Sequence, residues 1–95
     1  MIFDIRWTEE AELTFDSIYT SIENRWSTAT ANKFKGRVLS LLDNISGHPF
    51  LFPETVIPNI RKAVITKQSS LFYEIHDDHI ALVFFWDNRQ DPLFY

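Results

Sequence analysis

The chain has 95 residues, 45% of them hydrophobic and 16% aromatic, with no cysteine and a formal net charge of −4. That length supplies one small core, so residues 1–95 are expected to form a single domain. The lack of cysteine excludes a disulfide framework, a thiolate nucleophile and a thiolate zinc site; no apolar run is long enough to cross a bilayer, and the N-terminus lacks the features of a secretion signal, which predicts a cytoplasmic protein.

The elements follow in order. Ile2 to Trp7 alternates, with Ile2, Asp4 and Arg6 on one side and Phe3, Ile5 and Trp7 on the other, which predicts a half-exposed edge strand. Thr8 is placed to cap a helix whose first turns carry Glu9, Glu10 and Glu12, where the helix dipole favours negative charge. Ala11, Phe15, Ile18, Ile22 and Trp26 then draw one apolar stripe along it. Ser27 and Thr28 supply a break and a new cap, and Ala31, Phe34, Val38, Leu41 and Ile45 give a second helix, antiparallel to the first. Gly36 inside that helix costs about 1 kcal/mol relative to alanine, which predicts a close helix approach at that point. Gly47 and Pro49 end the helix.

Ser46 to Asn59 holds prolines at 49, 53 and 58 around Phe50, Leu51 and Phe52, a loop stiffened and pinned by its aromatics and longer than a connection needs. Ile60 to Thr66 reads as a strand with a cation on each face, and Lys67 to Ser70 as a turn. Two further strands, Ser70 to His76 and His79 to Trp86, fold on a tight Asp77-Asp78 turn. The last is apolar on both alternations, Ile80, Leu82, Phe84 and Trp86 against Ala81, Val83 and Phe85, so it belongs inside the sheet. The expected fold is α+β: an N-terminal strand, a helical hairpin, then three C-terminal antiparallel strands, with the helices on one face of a small twisted sheet.

An acidic chain, of isoelectric point about 5.2, is poorly suited to binding nucleic acid generally, since neutralising phosphates needs a surplus of Lys and Arg. The bases are unevenly spread, however. Residues 1–28 carry six acids and two bases and residues 71–95 five and one, whereas residues 29–45 and 46–70 each carry one acid and three bases. This distribution leaves room for a local basic patch on an acidic protein.

The order of these elements resembles the RelE/ParE superfamily of toxins from type II toxin–antitoxin modules. The resemblance is carried by Trp7-Thr8 before an acidic helix start, His48-Pro49, Ile60-Arg61, the run Leu71-Phe72-Tyr73-Glu74-Ile75, and the closing Asn88-Arg89-Gln90-Asp91-Pro92. It spans essentially the whole chain. It implies a growth-inhibiting toxin on a RelE/ParE-like fold, also known as a plasmid stabilisation protein, neutralised by a cognate antitoxin. RelE-like members cut messenger RNA on the ribosome, and ParE-like members poison DNA gyrase. The sequence departs from the nuclease pattern: Ser69 and Ser70 stand where an Arg leads into the third strand, and Asp87 where some members place a His. A carboxylate there repels RNA phosphate instead of stabilising developing charge. The resemblance is therefore closer to the ParE-like branch, with a protein target such as gyrase. The alternatives are a ribosome-dependent ribonuclease using Lys67, Arg89 and Tyr95, and a nontoxic protein-interaction module.

Arg61, Lys62, Lys67 and Arg89 are the candidate target-binding residues, with solvated strand faces or an ion pair between Arg89 and Asp87 or Asp91 as the plainer readings. His76 and His79 flank two aspartates, but neighbouring hairpin residues alternate faces and do not converge on one ion, so no metal site is expected. Tyr73 and Tyr95 suit packing better than proton transfer, because an ordinary phenol has a pKa near 10. Ser69 and Ser70 have no nearby His to activate them, and nothing points to a cofactor. Nine Phe and three Trp exceed what so small a core buries, and the Phe50-Leu51-Phe52 loop and Leu93-Phe94-Tyr95 tail predict association with an antitoxin or as a homodimer.

Overall fold

A computed structural model describes residues 2–89. The elements are β1 (Asp4–Trp7), α1 (Glu9–Arg25), α2 (Thr28–Gly47), β2 (Ile60–Thr66), β3 (Ser69–Ile75) and β4 (His79–Asp87). The four strands form one sheet in the order β1-β4-β3-β2, so β4 is an inner strand and β1 an edge, as its alternation predicts. β1 runs parallel to β4, and the other two pairings are antiparallel.

Both helices begin as the sequence indicates. Thr8 accepts a hydrogen bond from the Ala11 N–H at 3.1 Å, and Ser27 accepts one from the Thr30 N–H at 3.1 Å. The expected stripe of α2 is buried along its length, with Leu42 beside it. It packs, with Ala11 and the half-buried Phe15, Ile18 and Ile22 of α1, against Ala63, Leu71, Tyr73, Ile80, Leu82 and Phe85 of the sheet.

Two expectations for the helices fail. Trp26 is 74% exposed, because α1 stops at Arg25 and Ser27 takes extended backbone to cap α2; a residue at that break no longer follows the helical period. Gly36 marks no close approach. A Cβ built there meets nothing within 4 Å, since position 36 lies between the buried Phe34 and Val38 on the outer side of the helix.

The start of β1 is shorter than the alternation suggests, because the Phe3 backbone is claimed by α2. Its N–H donates to the Ser46 carbonyl at 2.9 Å, and the Ser46 hydroxyl donates to the Phe3 carbonyl at 2.7 Å. At the other end β1 stops opposite Leu82, and α1 takes over the edge of β4. The Thr8 hydroxyl donates to the Leu82 carbonyl at 2.6 Å; the Thr14 hydroxyl accepts from the Phe85 N–H at 2.9 Å and donates to the Glu10 carbonyl at 2.7 Å.

That strap coincides with a bulge. The β3–β4 register passes from Phe72 opposite Phe84 to Tyr73 opposite Leu82, leaving Val83 as an extra residue. Simple alternation puts Phe84 with Ile80 and Leu82; the bulge places Phe85 there instead. Phe84 joins Phe72 on the opposite face, ring centroids 4.9 Å apart.

The long loop is pinned chiefly by residues outside it. Arg61 Nη1 donates to the Phe52 carbonyl at 2.6 Å, and the Tyr73 hydroxyl donates to the Pro49 carbonyl at 2.8 Å. Phe52 packs on the core, but Phe50 and Leu51 are exposed, with the Arg61 guanidinium 5.0 Å from the centre of the Phe50 ring. The Leu93-Phe94-Tyr95 tail lies outside the described residues.

Candidate functional site: a cationic groove between the helices and the sheet end

Where β4 ends, Asn88 fixes the chain to the β2–β3 turn. Its N–H donates to the Gln68 carbonyl at 2.7 Å, and its side-chain Oδ1 accepts from the Ser70 hydroxyl at 3.1 Å. Lys67 and Arg89 are thereby held at the same end of the sheet, on one groove. Ser69 and Ser70 are buried, and Ser70 is committed to this bond.

Asp87 and Arg89 form the most tightly specified polar contact of that end. Arg89 Nε donates to Asp87 Oδ1 at 2.9 Å, Nη2 donates to Oδ2 at 2.6 Å, and the Arg89 backbone N–H adds a bond to Oδ1 at 2.9 Å. These bonds hold the Asp87 carboxyl below its ordinary value, with the charges of Arg89 and Arg25 contributing further. The same pairing raises Arg89 above its ordinary value. Both side chains face solvent in part, so the pair is worth little to stability.

The helical hairpin supplies the other wall. Arg25 stands in the last turn of α1, where the helix dipole favours a cation, and Lys33 and Arg37 are one turn apart on α2. Between them and the sheet lies a groove of about 660 Å³, floored by Phe34 and Phe85, with Trp26 at its rim. Five of the nine Lys and Arg line it, and Asp87 is the one acid among its described lining residues. The sequence reading missed Arg25, Lys33 and Arg37. Lys33 and Arg37, four residues apart beside the buried Phe34, were the available signal; their approach to Lys67 and Arg89 depends on the packing of α2 over the sheet.

Arg61 and Lys62 do not line this groove. Arg61 sits under the long loop, and the Lys62 ammonium lies 6.0 Å from the centre of the Phe72 ring on the other face of the sheet. Tyr73 is buried, its phenol pushed up by burial against the opposing charge of Arg61. His76 and His79 stack with ring centroids 4.4 Å apart, and each engages a carboxylate, Glu74 at 3.0 Å and Asp78 at 2.8 Å. Among the described residues no three His, Cys, Asp or Glu side chains are grouped to hold a metal ion. No described helix is long and apolar enough to cross a membrane. Tyr95 lies outside the described residues.

Residues 5–92 match the family model described as the ParE toxin of the type II toxin–antitoxin system parDE. Among solved structures, a chain of the chromosomal ParDE system from P. aeruginosa is similar at a TM-score of 0.77 and 13% identity, over 90% of this chain and 96% of that one. A chain of the E. coli DinJ-YafQ toxin-antitoxin complex gives 0.64 and 10%, over 94% and 96%. The YoeB dimer from Staphylococcus aureus gives 0.60 and 15%, over 88% and 94%. At such identities these likenesses establish the shared fold. No curated protein matches the sequence significantly.

Proposed function

Since the chain belongs to the family of ParE toxins of type II toxin–antitoxin systems, and is thereby the toxin partner of a cognate antitoxin, we propose that it arrests growth by binding a protein target, DNA gyrase first among them, at the cationic groove. The observation that carries this is the groove's chemistry. It offers many donors and no described group suited to take a proton: no His or Glu lines it, and its one acid is held ionised by Arg89. Cutting RNA requires a base for the attacking hydroxyl and a donor for the leaving oxygen, and a carboxyl with a lowered pKa is a weak base. Binding requires only the donors.

One observation favours a second reading. Lys67 and Arg89, the two described members of the ribonuclease set, share this groove. Induced expression, followed by assays of gyrase supercoiling and of messenger integrity, separates the two. Loss of supercoiling with intact messenger is the expected result, and Tyr95→Phe is expected to remain toxic. Ribosome-dependent cleavage that Tyr95→Phe abolishes would overturn the proposal.

A further inference from the structure

The charge of this protein is strongly segregated. Among the described residues the groove holds five bases and one acid, leaving four bases and eleven acids elsewhere. A cationic recess on an otherwise acidic body selects among anions by their extent. A nucleic-acid strand carries phosphates at regular intervals, so those beyond the groove would meet acidic surface, whereas a short acidic segment can place its charge inside and end there. The volume, about 660 Å³, suits a handful of side chains.

The floor adds a second requirement. Phe34 and Phe85 are 4% and 2% exposed, so the base of the groove is packed and apolar, while Trp26 stands at the rim 74% exposed. An exposed tryptophan beside a packed apolar floor suits a partner's apolar side chain, and the ring of guanidinium and ammonium groups suits its carboxylates. The protein already shows the second kind of contact in its own structure, with Asp87 gripped by Arg89 through two side-chain nitrogens at 2.9 and 2.6 Å. Asp87 occupies, from inside, the kind of position a partner's carboxylate would take.

We infer that the groove docks an acidic polypeptide segment of the target, one that alternates carboxylates with apolar anchors, and that Asp87 competes with that segment for Arg89. The inference rests on the protein-target reading above and specifies what the target presents. An incoming carboxylate replaces Asp87 on the Arg89 fork or shares it, while Arg25, Lys33, Arg37 and Lys67 receive the flanking charges.

The test uses the purified full chain and a fluorescent peptide of alternating Glu and Leu, with an alternating Lys and Leu peptide and an oligo-dT of matched charge as comparisons, read by anisotropy at low and physiological salt. The Glu-Leu peptide is expected to bind in a salt-sensitive manner, and the oligonucleotide about tenfold more weakly or worse. The double substitution Lys33→Glu/Arg37→Glu should weaken peptide binding by about tenfold or more, Trp26→Ala should weaken it at unchanged salt dependence, and Asp87→Asn should tighten it by about threefold. Circular dichroism checks the fold of each variant. Oligonucleotide binding as tight as the peptide's, no binding of the Glu-Leu peptide, or indifference to the charge reversal would each overturn the inference. If the charge-reversed protein still inhibits gyrase as the parent does, this inference and the groove as the binding place both fall while a protein target stands; messenger cleavage by the parent removes the protein-target reading itself.

Discussion

The Asp87 carboxylate and the Arg89 guanidinium meet side-on, Nε to Oδ1 at 2.9 Å and Nη2 to Oδ2 at 2.6 Å, two residues apart at the end of an inner strand. The fork is preorganised yet exposed, so it can be exchanged for an outside carboxylate at small cost. Arg89→Ala is expected to fold with a stability close to the parent's, because solvent screens the exposed pair, and to abolish growth inhibition. Arg89→Lys keeps the charge and loses the fork, and should be only partly toxic. Full toxicity of Arg89→Ala with unchanged stability would remove Arg89 from the site.

Acid should act weakly through the same pair. The folded Asp87 carboxyl lies below its ordinary value, so its contribution is present above the unfolded aspartate pKa of about 3.9 and is lost as pH falls through the lower folded value. Urea titrations between neutral pH and about pH 3 should show Asp87→Asn losing less stability on acidification than the parent, by a fraction of about 1 kcal/mol because solvent screens the pair.

Thr14 ties α1 to β4 by accepting the Phe85 N–H at 2.9 Å. Thr14→Val keeps the shape and strands that partly buried N–H, so a loss of about 1–3 kcal/mol is expected in urea unfolding, while Thr14→Ser should stay close to the parent. Equal stability of the two variants would show that the strap carries no weight.

Gly36 sits in open space on a helical backbone. Gly36→Ala should therefore stabilise the protein by about 1 kcal/mol, visible as a raised urea midpoint with unchanged slope. A destabilised variant would mean that a neighbour fills that space.

Tyr73 is buried and donates to the Pro49 carbonyl at 2.8 Å. Tyr73→Phe should lose about 1–2 kcal/mol at neutral pH by orphaning that carbonyl. Because burial raises the folded phenol, its contribution is complete below the unfolded pKa of about 10 and declines as pH rises from there through the folded value. The parent should thus lose stability above about pH 10 more steeply than Tyr73→Phe does.

Local rules placed most of the elements. Thr8 and Ser27 cap where their chemistry says, the stripe Ala31 to Ile45 is buried, and the two-sided apolar run from His79 puts β4 inside the sheet. The failures occur where a distant partner overrides a local period. The Val83 bulge moves Phe85, and not Phe84, to the helix side; the Ser46 bonds shorten β1; and the short break between the helices turns Trp26 outward. Of the residues lining the candidate groove, the sequence singled out Lys67, as one of three middle-chain cations, and Arg89, for its place after an inner strand. Arg25, Lys33 and Arg37 were not, because a solvated helix face and a groove wall have the same sequence pattern until the opposing element is in place.

The parallel pairing of β1 with β4 sets Asp4 opposite His79, far apart in the sequence. During synthesis the first strand therefore has no partner until the last has emerged, although the helical hairpin can already form. Closing so long a loop is slow compared with forming the hairpin of β3 and β4. Arg89 comes later still, after the strand that completes the sheet. A chain still lacking β4 and Arg89 is thus unarmed, and the groove takes shape only once the sheet has closed around them.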